Sequence, residues 1–136
     1  ILFFHAMGVI GESSYRVADY LKDKYFCVMP TSTVYCQNQK YQSKQDEIHQ
    51  IEEYLQKQGI EKITLIVASS IGADLGLTFL SQMKIPIEHT FLMEVNLHRF
   101  QDENHMHMQI LDPKGFAKML DSIIRTGKLM RIVSEH

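Results

Sequence analysis

Ile63-Thr64-Leu65-Ile66-Val67-Ala68-Ser69-Ser70-Ile71-Gly72-Ala73-Asp74-Leu75-Gly76-Leu77 is an apolar, β-branched run that breaks on small residues and resumes with helical spacing. The pattern predicts a buried strand, a sharp turn and a helix. At the turn stands Ala68-Ser69-Ser70-Ile71-Gly72, a small-x-Ser-x-small pentad. A serine at the tip of a strained strand-to-helix turn presents its hydroxyl, while the following helix aims backbone N–H groups at the same point. Small residues two positions before and after Ser70 let the arms of the turn approach each other. The same turn would also serve as a plain helix N-cap, so its meaning depends on its neighbours.

The neighbour that matters is at the N-terminus, where the strand-like Ile1-Leu2-Phe3-Phe4 runs into His5-Ala6-Met7-Gly8-Val9-Ile10-Gly11. This resembles the His-Gly-x-Gly loop after the third strand of α/β-hydrolases, with Ala6 in place of the first glycine. The pentad around Ser70 resembles the nucleophile elbow of the same family, with Ala68 in place of a glycine. The resemblance covers roughly residues 1–95. It implies that Ser70 is a nucleophile and that the backbone N–H groups of Met7 and Ile71 form an oxyanion hole.

Composition bounds the remaining choices. A chain of 136 residues is one domain, long enough for a real core. Its net charge of −2 gives no electrostatic reason to expect nucleic acid or an anionic membrane as partner. Apolar runs of four or five residues fall far short of the ~20 needed to span a bilayer. Cys27 and Cys36 form no C-x-x-C pair, which favours reduced thiols and a cytoplasmic setting.

Taken in order, the chain alternates strand and helix. Tyr15 to Lys24 has helical spacing, Tyr25 to Met29 reads as a second strand closed by Pro30, and Lys44 to Gln58 as an amphipathic helix with Gly59 at its C′ position. On that helix Ile48, Ile51, Tyr54 and Leu55 form the expected apolar face, and its carboxylates a solvated one. Ile63–Val67 and the helix from Ile71 to about Gln82 follow, with Leu75, Leu77, Phe79 and Leu80 as packing residues. His89–Met93 is a fourth strand, with Glu94 at its carboxyl end. The expected fold class is α/β: a parallel sheet of about four strands with helices on both faces, a partial α/β-hydrolase fold. Residues 1–95 form its core half. Residues 96–136 are a loop and a helical cap-like segment of the same domain, its helix capped by Asp112-Pro113 and ending at Gly127.

Acyl transfer by serine needs a nucleophile, a base and an oxyanion hole, and an acid usually orients the base. In the family the acid and histidine come from later strands, so a fragment or a reduced homologue is expected. Within these residues Glu94 is the candidate acid and His98, His105 or His107 the candidate base. The His105-x-His107 pair lacks the spacing or cysteine partners of a zinc site, so neither metal nor cofactor is expected. Asp74 suits the positive end of its helix better than a catalytic role. The resemblance implies a serine esterase or related hydrolase acting on a small acyl substrate. Two other readings stand beside it. One is a non-catalytic module that dimerises through an open sheet edge. The other is a flavodoxin-like nucleotide binder, which the absence of a Gly-x-Gly-x-x-Gly or Walker loop disfavours.

Overall fold

In the computed structural model the described residues are 1–5, 12–32, 36, 38–69, 71–82, 84–93 and 112–127. They form an α/β arrangement of three parallel strands and four helices. The strands are β1 (Leu2–Phe4), β2 (Ile63–Ser69) and β3 (Ile87–Met93), in the order β1-β2-β3. The helices are α1 (Glu12–Asp19), α2 (Lys44–Lys57), α3 (Ile71–Gln82) and α4 (Pro113–Thr126). None of them is long and apolar enough to cross a membrane.

The expected second strand, Tyr25–Met29, is reduced to one bridging position. Val28 pairs in parallel with Leu2, the Phe3 N–H donates to the Val28 carbonyl, and the Val28 N–H donates to that of Ile1, both at 2.9 Å. Two causes limit it. β1 offers only three residues to pair with, and Pro30 brings no N–H to extend the ladder. Val28 nevertheless fixes the winding: from β1 the chain first goes to one side of it, then returns on the other side as β2 and β3.

Alternation along β1 sorts the core. Ile1 and Phe3 face α1 and α4, joined there by Leu65, Val67 and Phe91. Leu2 and Phe4 face α2 and α3, with Ile66 and Ala68. Successive strand residues point to opposite faces, so a sheet covered on both sides reads as a continuous apolar run.

Helix boundaries follow their caps. The Ser43 hydroxyl accepts the Asp46 N–H at 3.0 Å to open α2, and Gly59, at φ 71°, follows its end. The Asp112 carboxylate accepts the Gly115 N–H at 3.0 Å, Pro113 starts α4, and Gly127 closes it at φ 66° with its N–H on the Ile123 carbonyl. α1 lies earlier than the expected Tyr15–Lys24. Its exit is tightened by Tyr20 and Leu21 N–H groups donating to Val17 and Ala18, three residues back.

Three expectations need correction. On α2 the buried face is turned: Glu47 and Glu52 are inside with Ile48 and Leu55, while Tyr54 is 46% exposed. Glu52 is compensated by Lys84 Nζ at 3.1 Å, as a buried charge requires. On α3, Leu77 is exposed rather than packed. Finally, α4, expected as a cap-like segment, packs in the core: Phe116, Met119 and Leu120 are fully buried against α1 and the sheet, and the Phe116 ring meets Phe91 of β3 at 6.1 Å. Its apolar stripe is wide enough to make it a core helix.

A buried carboxylate ties this face to the strand edge. Asp121 of α4 accepts from the Tyr25 hydroxyl at 2.7 Å and from Arg125 Nε at 3.0 Å, with Lys24 Nζ at 3.6 Å. The Tyr25 hydrogen bond, then the two cations, holds the Asp121 carboxyl below the usual range. Burial first, and Asp121 second, pushes the Tyr25 phenol up to about 12.

Candidate functional site

The reversal of winding between β1 and β2 creates a switch point, the place where open parallel sheets gather ligands at their strand ends. The residues that leave the sheet there are the two sequence motifs. Phe4 pairs with Ala68, so the chain departs from β1 and β2 side by side. β2 runs through Ser69 and α3 starts at Ile71. Ser70 is thus the single residue between strand and helix. Ser70 itself lies outside the described residues.

The close approach expected of the elbow has a measurable cause at Gly72. A Cβ placed there would stand 2.5 Å from the Phe4 carbonyl oxygen and 2.6 Å from that of His5. Both obstacles are backbone, which cannot rotate away. Glycine therefore lets the first turn of α3 sit directly against the end of β1. At position 68, where the resemblance leads one to expect glycine, the alanine methyl is fully buried. Space for it comes from Gly76: a Cβ there would lie 3.1 Å from Ala68 Cβ. The second glycine, one turn further along α3, absorbs the methyl that the first position gained.

Ile71 opens α3, so its N–H belongs to the first turn, whose amides have no intrahelical acceptor. The helix dipole places partial positive charge at the same point. Met7, the other proposed oxyanion donor, lies outside the described residues. So do Glu94, His98, His105 and His107. His5 is described: its Nε2 accepts the Ser32 backbone N–H at 3.1 Å, which leaves the neutral ring proton on Nδ1. Ser32 in turn donates its hydroxyl to Glu47 Oε1 at 2.8 Å. The imidazole is thereby tied to the segment after Val28 and, through it, to α2.

Asp74 stands on the exposed side of α3 and pairs with Lys44 Nζ at 2.6 Å. It bridges the starts of α2 and α3.

A cleft of about 760 Å³ opens beside these groups, with Phe4, Val28, Ile51 and Leu75 as apolar walls and His5, Ser32 and Glu47 among its polar ones. A volume of this order suits a small-molecule ligand. Cys27 also lines it, but burial pushes its thiol up, so it stays protonated near neutrality and is a poor nucleophile. Among the described residues, no group of three His, Cys, Asp or Glu side chains is placed to hold a metal ion.

Sequence reasoning overlooked Ser32 and Glu47. A signal existed for Glu47, which precedes Ile51 by four residues and Leu55 by eight and so shares their stripe. Its charge argued for solvent, and the Ser32 hydroxyl that makes burial tolerable comes from an irregular segment with no pattern to read. Comparison of the chain with protein-family models, with curated proteins and with solved structures found no match.

Proposed function

We propose that the protein is a serine hydrolase of the α/β-hydrolase type, acting on a carboxylic ester or related acyl compound. The observation that carries this reading is Gly72. Its missing side chain lets the N-terminal turn of α3 rest on the carbonyls of Phe4 and His5. The two segments that must jointly hold an oxyanion therefore meet beside the position Ser70 occupies in the chain. Strand order supports the same reading, since the order Val28, β1, β2, β3 puts a switch point between β1 and β2, where open parallel sheets gather ligands.

In this mechanism Ser70 Oγ attacks the acyl carbonyl as a histidine takes its proton. The Met7 and Ile71 N–H groups hold the oxyanion, each worth about 3 kcal/mol to the transition state. The histidine then protonates the leaving alcohol, and water releases the acyl group by the same steps. Within the chain His98, His105 and His107 are the candidates for the base and Glu94 for the acid that orients it. His5 is assigned no proton transfer, because its Nε2 is occupied by Ser32.

Incubation with an activated ester such as p-nitrophenyl acetate, followed by acid quench and peptide mass spectrometry, tests the covalent step. The reading expects an acyl group on the peptide containing Ser70 and none in Ser70→Ala. Acylation elsewhere, or undiminished turnover in Ser70→Ala, would refute it. A folded chain that takes no acyl group would instead favour the non-catalytic module.

A further inference from the structure

We propose that Glu47 is a positioning residue for the oxyanion loop, acting through Ser32 on the His5 imidazole at the end of β1. This rests on the hydrolase reading above.

The geometry is a chain of two hydrogen bonds across three segments. Glu47, 5% exposed on the first turns of α2, accepts the Ser32 hydroxyl at 2.8 Å. Ser32 donates its backbone N–H to His5 Nε2 at 3.1 Å. His5 directly follows β1 and is the residue from which the chain proceeds to Met7.

Burying a carboxylate is costly unless it is hydrogen-bonded, and a bond to a charged acceptor is stronger than a neutral one. A buried glutamate therefore holds Ser32 more firmly than a surface residue could. Ser32 has two bonding groups and uses them in opposite directions, the hydroxyl toward α2 and the amide toward His5. A change at Glu47 is transmitted to the imidazole with one residue between them.

Why the loop needs such a tie follows from Gly72. The His5 carbonyl forms part of the surface on which the first turn of α3 rests. Displacing His5 shifts one oxyanion donor relative to the other, and small misplacements of reacting groups carry large rate penalties. Glu47 also lines the cleft, but its Oε1 is engaged by the Ser32 hydroxyl, so the effect carried along this chain falls on the rate of the chemical step.

The test measures the rate at which a fluorophosphonate probe labels Ser70, together with the imidazole ¹⁵N pattern of His5 by NMR, in four variants. Ser32→Ala and Glu47→Ala should each slow labelling about tenfold, the effect of losing a hydrogen bond to a charged group. The double variant should be no slower than the slower single one, because both cut the same chain. Ser32→Thr, which keeps the hydroxyl, should stay within about twofold of wild type. The His5 pattern, that of an Nδ1–H tautomer in wild type, should become mixed in Ser32→Ala and Glu47→Ala. Circular dichroism confirms folding; should Glu47→Ala not fold, Ser32→Ala, a change at the chain's middle residue, carries the test alone.

Labelling at the wild-type rate in folded Glu47→Ala or Ser32→Ala would overturn the proposal. So would slowed labelling with an unchanged His5 pattern, since the effect would then travel by another route. Absence of labelling in wild type, with His5 still responding to Glu47, would mean that the hydrogen-bond chain is real and the hydrolase reading has failed. The positioning role would fall with that reading.

Discussion

On one face of the sheet α1 and α4 present Val17, Phe116, Met119 and Leu120, large side chains with almost no exposure. On the other, α2 and α3 add to the large Ile48, Leu55 and Phe79 the small Gly72, Ala73 and Gly76, together with two buried glutamates and the wall of a cleft. Large, interdigitating side chains maximise the apolar area removed from water. Small residues forgo part of that gain and let backbone approach backbone. The candidate site stands where backbone approach is closest, at the first turn of α3. The α1/α4 face stabilises the sheet that holds this turn in place, and the two faces should respond differently to substitution.

The largest effect is expected at Gly72. Gly72→Val would drive a branched side chain into the Phe4 and His5 carbonyls and part α3 from β1. Labelling of Ser70 by a fluorophosphonate should fall about 10²-fold or more in the fraction that remains folded. Undiminished labelling would show that the close approach does not matter to the site.

Phe116→Ala, on the opposite face, should behave in the reverse manner. Deleting a fully buried ring costs about 3–5 kcal/mol in chemical unfolding, while labelling per folded molecule should stay unchanged. If labelling falls in proportion to the loss of stability, the faces are not separable.

The Tyr25–Asp121 bond sharpens the same contrast by pH. The folded pKa of Asp121 is depressed, so its contribution is complete above the unfolded value of ~3.9 and is lost as pH falls through the folded value. The folded pKa of Tyr25 is raised, so its contribution is complete below the unfolded value of ~10 and is lost as pH rises through about 12. Tyr25→Phe should cost roughly 1.5–3 kcal/mol at neutral pH. It should also flatten the acid and the alkaline limbs of a stability-versus-pH curve measured by urea unfolding. Unchanged limbs would mean that other groups set them.

Gly76→Ala is expected to be the mildest of these changes. Its methyl meets that of Ala68 at 3.1 Å, and mild overpacking costs about 1 kcal/mol. Ala68→Gly in the same chain should remove the crowding and bring the Gly76→Ala penalty close to zero. Thermal melts of the two single variants and the double variant form the cycle, and additivity would show that the two positions do not share space.

The sequence revealed most where a residue's type is dictated by its own backbone. Ser43, Gly59, Asp112, Pro113 and Gly127 mark helix ends through local hydrogen bonds or a positive φ, and the observed boundaries of α2 and α4 follow them. β2 and α3 were legible from period alone. What escaped depends on partners distant in the chain. The run at Tyr25–Met29 looks like a strand, but how much of it pairs is set by the short β1. Leu77 fits a helical stripe, yet it shares the exposed side of α3 with Asp74, three residues before it. Glu47 and Glu52 were read as solvated because charge outweighs periodicity when no acceptor or cation is visible. Their companions, Ser32 and Lys84, lie 15 and 32 residues away. Of the candidate site, the motif order and the Gly72 approach were legible. The Ala68–Gly76 compensation was not, because it depends on how deeply α3 docks on β2.

The most direct test of the central claim is fluorophosphonate labelling of the purified chain with peptide mapping, run beside Ser70→Ala. Such a probe needs both a nucleophilic serine and donors for its phosphoryl oxygen, so it interrogates the elbow and the oxyanion hole together, without a known substrate. The account predicts a single adduct on Ser70 that is absent from Ser70→Ala. A folded chain that takes no label, or takes it equally in Ser70→Ala, would contradict it.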